Sequence, residues 1–248
     1  MRRFNRCSLW VPKKNGKSPL AAGVGLYLLI SDGEAGQKIF SAAKDGKQAG
    51  IMHAHAKHMV EMSPILSKEL KINKSTGRIY HAKTRSTYDV LAGNHIKGQH
   101  GLNGSCIIDE THVVDERLAR VLEFMGASRS EPIQFEASTA GNDPTGYGKK
   151  QFDYGTAVSE GMIFDDSFLF VNYSAPQAAT DQDCGKVATW KKANPSWGVT
   201  IKKTEFQESH RRAKRSLADF ASWKQLRLNV WQSSANPWLR KADWDNCK

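Results

Sequence analysis

Short apolar runs alternate with longer stretches of helical spacing along this chain. Residues 3–10 are long enough for a strand, and residues 19–30 form an almost uninterrupted apolar run that predicts a mostly buried helix. Residues 38–43 (Lys-Ile-Phe-Ser-Ala-Ala) predict a second strand. Asp45 is placed to cap a helix running to about Met62, with Ile51, Met52, Met59 and Val60 at helical spacings, and Pro64 ends it. Weaker strand patterns at 78–80 and 88–91 are separated by polar turns. Residues 105–108 predict a buried strand, 115–124 a helix, 132–137 a strand, 147–160 a helix and 168–171 a strand. Strands alternating with helices predict an α/β fold with a mostly parallel sheet flanked by helices.

The character changes from about Asp181. Trp190, Trp197, Trp223, Trp231, Trp238 and Trp244 all lie beyond it. Thr204-Glu205-Phe206-Gln207 has the form of a capping box opening a basic helix. That helix would carry Arg211, Arg212, Lys214 and Arg215, with Phe206, Ala213, Leu217 and Phe220 as its apolar members. The expected division is a core at 1–180 and a helical, Trp-rich appendage at 181–248.

At 248 residues the chain has ample core, and its net charge of +11 points to a polyanionic partner, nucleic acid first. The same basic helix also reads as an ordinary solvated face. Cys7, Cys106, Cys184 and Cys247 are scattered without a CxxC pair, which fits reduced thiols better than a disulfide frame or zinc site. The first residues lack a signal-peptide apolar region, and the run at 20–30 is too short to span a bilayer. His55 and His58 share a helix face and His53 does not, so this trio is a poor metal site.

Three stretches carry chemistry. The first is Val11-Pro12-Lys13-Lys14-Asn15-Gly16-Lys17-Ser18, between a strand and a helix, the context of a nucleotide phosphate loop. Amides of Lys14, Asn15 and Gly16 at a helix start favour phosphate. Lys17 would reach the β/γ-phosphates of ATP and Ser18 would hold Mg2+. The common pattern has Gly where Val11 stands. The second is Ile107-Ile108-Asp109-Glu110-Thr111-His112, an apolar strand delivering a metal-side Asp109 and a Glu110 able to polarise a water. The third is Ser138-Thr139-Ala140-Gly141 closing the next strand, placed to sense a γ-phosphate.

Together, in this order, the three stretches resemble the ATPase motor of phage terminase large subunits. Asp32-Gly33-Glu34, Ala42-Ala43, Gln48-Ala49, His100-Gly101-Leu102-Asn103 and Asn194-Pro195 add to the match. The resemblance implies a P-loop NTPase domain of ASCE type that pumps double-stranded DNA into a capsid in the host cytoplasm, as a homo-oligomeric ring on the portal protein with a terminase small subunit. By resemblance, Glu110 is the catalytic base and Asp109 and Ser18 serve the metal. Ser138, Thr139 and Gly141 form a coupling motif, Lys13 stands where the family has a γ-phosphate arginine, and Arg129 is a candidate finger for a neighbouring subunit. It also implies a chain without the family's adenine-binding segment and without its C-terminal nuclease, hence no DNA cleavage. The competing readings are a DExH-type helicase fragment and a remnant that binds DNA or a partner without turnover.

Overall fold

The computed structural model describes residues 2–91 and 102–232. His100, Gly101, Trp238, Trp244 and Cys247, all named above, lie outside them. The described residues fall into two compact units.

The first unit comprises Met1–Leu9, Lys17–Ala137 and Gly146–Val171. It is built on a sheet of eight strands: β1 (Arg6–Trp10), β2 (Lys38–Ala42), β3 (Leu70–Ile72), β4 (Ile79–His81), β5 (Ser86–Val90), β6 (Ser105–Asp109), β7 (Gln134–Ser138) and β8 (Phe168–Asn172). Their order is β3-β4-β5-β2-β6-β7-β1-β8. β2 pairs in parallel with both β5 and β6, and β6 in parallel with β7. The β3-β4-β5 edge is antiparallel, which the polar turns at 73–78 and 82–85 permit. β6 and β7 are buried at every position, as parallel strands covered on both faces must be.

Helices cover both faces. α1 (Lys17–Ile30) and α2 (Gly46–Met62) pack Leu26, Leu29, Met52 and Val60 against Ile39, Ile107 and Phe135. On the other side, α4 (Glu116–Phe124) seats Leu118 and Leu122 with Cys106 and Ile108. Each fully buried side chain of this kind contributes roughly 2 kcal/mol. The caps are local: Asp45 accepts from Gln48 N at 2.9 Å and Asp115 from Leu118 N at 2.7 Å. Pro64 ends α2 and opens the short α3 (Pro64–Glu69). α1 starts at Lys17, two residues before Pro19, because the first helical turn needs no proline N–H. His53 is buried, and its Nε2 lies 3.0 Å from Tyr88 O. Among the described residues no three His, Cys, Asp or Glu side chains gather to hold a metal, and no helix is long and apolar enough to cross a membrane.

The second unit combines Trp10–Gly16, Ser138–Thr145 and the chain from Asn172. Its boundary is therefore not a single cut near residue 180: it starts earlier and takes in the last residues of β1, β7 and β8. Its helices are α6 (Asp181–Cys184), α7 (Val187–Ala193), α8 (Lys203–Ala213) and α9 (Leu217–Leu228); α5 (Tyr147–Ser159) belongs to the first unit. An aromatic core of Trp190, Trp197, Phe206, His210, Phe220 and Trp223 holds it, with Trp190 5.2 Å from Phe206 and His210 4.9 Å from Trp223 between ring centroids. The expected capping box is not formed. α8 is capped at Lys202 without a side-chain bond, and Thr204 lies inside it. The expected single basic helix is two: α8 ends at Ala213, and Leu217 and Phe220 sit on α9, capped by Ser216. Arg211, Arg212, Lys214 and Arg215 are exposed around the C-terminal end of α8, where the helix dipole favours cations.

Candidate functional site

Four of the sequence-predicted site residues gather in the first unit. Lys17 opens α1 and is 7% exposed; Ser18 follows it. Asp109 ends β6, 6% exposed, and accepts a hydrogen bond from Ser18 Oγ at 3.0 Å. Burial pushes the Asp109 carboxyl above its usual range. The neighbouring Glu110 charge adds to this, while the Ser18 hydroxyl and the Lys17 charge oppose it. A hydroxyl and a carboxylate in direct contact form a hard-oxygen pair, the donor chemistry that suits Mg2+.

Glu110 leaves the strand through a left-handed turn, φ 54° and ψ 49°, rare for a residue with a side chain. Its N–H donates to Ala137 O at 2.9 Å and to Asp109 Oδ1 at 3.0 Å, so both β7 and Asp109 hold the turn. Its carboxylate lies 3.2 Å from His112 Nδ1. Strain of this kind costs roughly 1–3 kcal/mol and persists where surrounding contacts enforce it. The turn Thr111–Val113 is in turn packed under α5: a Cβ on Gly148 would meet His112 Cα at 2.5 Å.

The remaining loop residues and the coupling stretch lie in the second unit. Gly16 has φ 82° and Lys14 has φ 72°; the first is ordinary for glycine, the second strained. Lys13 and Lys14 are exposed. Residues 138–141 run beside the loop. Val11 N donates to Ser138 O at 3.0 Å, and Thr139 Oγ1 to Val11 O at 3.0 Å. Ala140 N donates to Asn229 Oδ1 at 2.6 Å, and Gly141 O accepts from Gln232 N at 3.2 Å. Ser138 and Thr139 are fully buried.

Arg129 does not join these groups. It forms an ion pair with Glu34 at 3.5 Å and its guanidinium also donates to Gly36 O, ahead of β2, at the end of the sheet where the parallel strands begin. Asp109 and Glu110 lie at the opposite end, where β6 finishes. Arg129 is thus tied within the first unit; a finger for a neighbouring subunit acts on another copy, so these bonds leave that expectation standing as a proposal. Asn194 and Asn229, both fully buried, carry bonds that sequence reasoning did not assign. Asn229 is a left-handed helix cap, a role asparagine suits, whereas Asn194 ends its helix in extended backbone; the pattern discloses the distant partners of neither.

A family model described as "Terminase large subunit, ATPase domain" matches residues 1–156, and one described as "Terminase large subunit, endonuclease domain" matches residues 162–248. The expectation of a chain without any nuclease part is therefore not upheld. A curated relative, the "Terminase, large subunit" of Enterobacteria phage HK97, is 26% identical over 247 residues, covering 96% of this chain and 47% of that protein. The crystal structure of the HK97 bacteriophage large terminase superposes with a TM-score of 0.81 at 24% identity, over 98% of this chain and 50% of that one. The ATPase domain of the Thermus phage P74-26 large terminase gives a TM-score of 0.59 at 14% identity, covering 92% of this chain and 90% of that domain. These structural likenesses, each under 25% identity, show the fold; the endonuclease family match stands for residues 162–248. The chain spans about half the length of the HK97 relative it matches.

Proposed function

Because this chain belongs to the terminase large subunit family, we propose that it is the ATP-hydrolysing motor part of a viral DNA-packaging terminase, coupling hydrolysis to movement of double-stranded DNA into a capsid. The observation that carries this reading is the Ser18–Asp109 contact at 3.0 Å, with Lys17 before it and Glu110 after it. Lys17 binds the β/γ-phosphates of ATP. Ser18 and Asp109 hold Mg2+, which when bound neutralises charge on the phosphate oxygens. Glu110 accepts the proton of the attacking water, an effect worth about 10²–10⁴-fold. Lys13 contributes charge toward the γ-phosphate without the bidentate geometry of an arginine. Residues 138–141 transmit the state of the phosphate to α9, whose cap they touch. DNA is the polyanion that the charge of +11 suits, and the portal, a small subunit and a ring of copies are the partners that the family suggests.

The test is phosphate release by the pure chain with Mg-ATP, with and without double-stranded DNA. Glu110→Gln is expected to remove turnover and keep ATP binding; Lys17→Ala is expected to weaken binding. Turnover that survives both substitutions would overturn the assignment.

A further inference from the structure

The phosphate loop lacks the first glycine of its pattern and keeps a strained lysine. Such a loop does not hold its shape alone: a non-glycine residue in the left-handed region costs roughly 1–2 kcal/mol, and this persists only where neighbours enforce it. The neighbours here are specific and all lie within the second unit. Lys13 N donates to Leu226 O at 2.9 Å, and Thr200 Oγ1 donates to the carbonyl of the strained Lys14 at 2.8 Å. The Asn15 side chain makes three hydrogen bonds. Its Nδ2 donates to Pro12 O at 3.1 Å and to Asn194 Oδ1 at 2.8 Å, and its Oδ1 accepts from Ser196 N at 3.1 Å.

Asn194 is the far side of this tether and is fully buried. Its Nδ2 donates to Trp190 O at 2.9 Å and to Arg227 O at 3.1 Å, fixing it to the ends of α7 and α9. One side-chain amide therefore links two helix ends to the loop. The amide is oriented unambiguously, because both of its donor contacts are carbonyls and its oxygen meets a donor.

We propose that Asn194 is a positioning residue for nucleotide: through Asn15 it holds residues 12–16 in the phosphate-accepting shape, replacing the restraint that the missing glycine pattern does not supply. The proposal rests on the ATPase reading above. A preformed loop binds phosphate without the entropy of ordering it, so the tether acts on affinity. It leaves the hydrolytic step to Lys17, Ser18, Asp109 and Glu110. It also gives the helical unit a direct mechanical link to the loop.

The experiment uses the full chain as wild type, Asn194→Ala, Asn15→Ala and the double variant. Two readouts are taken: amide hydrogen exchange of residues 13–16 without nucleotide, and Mg-ATP affinity by calorimetry beside steady-state kinetics. Each single variant is expected to speed exchange in the loop at least tenfold and to raise Kd and KM for ATP about tenfold, the effect of losing the one Asn15–Asn194 bond that both share. Turnover of Asn194→Ala at saturating ATP is expected to change less than threefold. The double variant is expected to fall short of the product of the two single effects, because both cut the Asn15–Asn194 bond. Unchanged loop exchange in Asn194→Ala, or fully additive effects on Kd, would overturn the proposal. If Asn194→Ala does not fold, Asn15→Ala, which spares the bonds to Trp190 and Arg227, decides by the same two readouts. Failure of the wild type to bind ATP would instead overturn the ATPase reading, while the exchange comparison still decides whether Asn194 holds the loop.

Discussion

Asn229 offers the sharpest stability test, because two effects act on it in ways that separate. It caps α9 with φ 56° and ψ 41°, and it is fully buried. Its side chain accepts from Ala140 N at 2.6 Å and donates to Asn172 Oδ1 and Tyr173 O, each at 3.1 Å. Removing three buried hydrogen bonds costs about 3 kcal/mol. Forcing alanine into the left-handed region adds about 1 kcal/mol, whereas glycine escapes that addition. Asn229→Ala should therefore lose about 4 kcal/mol and Asn229→Gly about 3 kcal/mol. Glycine thus comes out above alanine, the reverse of their order in a helix interior. Asn229→Asp keeps the acceptor for Ala140 but turns a carboxylate toward two oxygens, and should fall with the alanine variant. The assay is urea unfolding followed by tryptophan emission. Trp10, Trp190, Trp197, Trp223 and Trp231, the tryptophans among the described residues, all belong to the second unit, so the signal reports the unit that Asn229 holds. An alanine variant within 1 kcal/mol of wild type, or a glycine variant less stable than alanine, would refute the reasoning.

Other substitutions test other parts of the molecule. Glu110→Gly should unfold at higher urea than Glu110→Ala, by about 1 kcal/mol, since only glycine relieves the turn at φ 54°; neither should turn over ATP. Gly148→Ala places a methyl 2.5 Å from His112 Cα, a backbone contact that no rotamer relieves. A loss of about 1–3 kcal/mol and slower phosphate release are expected together, and normal values for both would contradict the packing argument. Glu136 is buried in β7 and accepts from Tyr147 Oη and Gln134 Nε2, each at 2.6 Å. Burial raises its carboxyl above the ordinary range, with the hydrogen bonds opposing. The folded state then holds more protons than the unfolded one between the ordinary glutamate value and the raised one, so stability falls as pH rises through that window. Glu136→Gln should flatten this slope, by up to about 1.4 kcal/mol per pH unit, in denaturation curves taken across the acid range. Arg129→Ala should cost about 1–2 kcal/mol through loss of the Glu34 pair and the carbonyl contacts. Doping it into wild-type chain should lower turnover only in proportion to its share; a steeper loss would support the finger.

Sequence by itself determined what is local. The alternation of apolar runs with helical spacings records which side of each element meets a core, so most strands and helices of the first unit stood in the pattern. Asp45 acts within one turn and could be read directly as a cap; Asp115, read as the first residue of its helix, caps it instead. Gly16-Lys17-Ser18 and Asp109-Glu110 could be picked out as candidates because each set lies in consecutive residues. The tertiary structure alone decided the contacts between distant residues. It set β6 between β2 and β7, which puts Ser18, 91 residues away in the chain, on Asp109. It broke the basic stretch into α8 and α9, because two short helices close an aromatic core that one long helix would splay apart. It turned Arg129 into a tie to the loop before β2. It joined Asn15 to Asn194 across 179 residues. An amide carries the same donors and acceptor wherever it stands in a chain, so its residue type cannot name its partner. Only the packing of elements around it, driven by apolar surface elsewhere, decides which groups come within hydrogen-bonding distance.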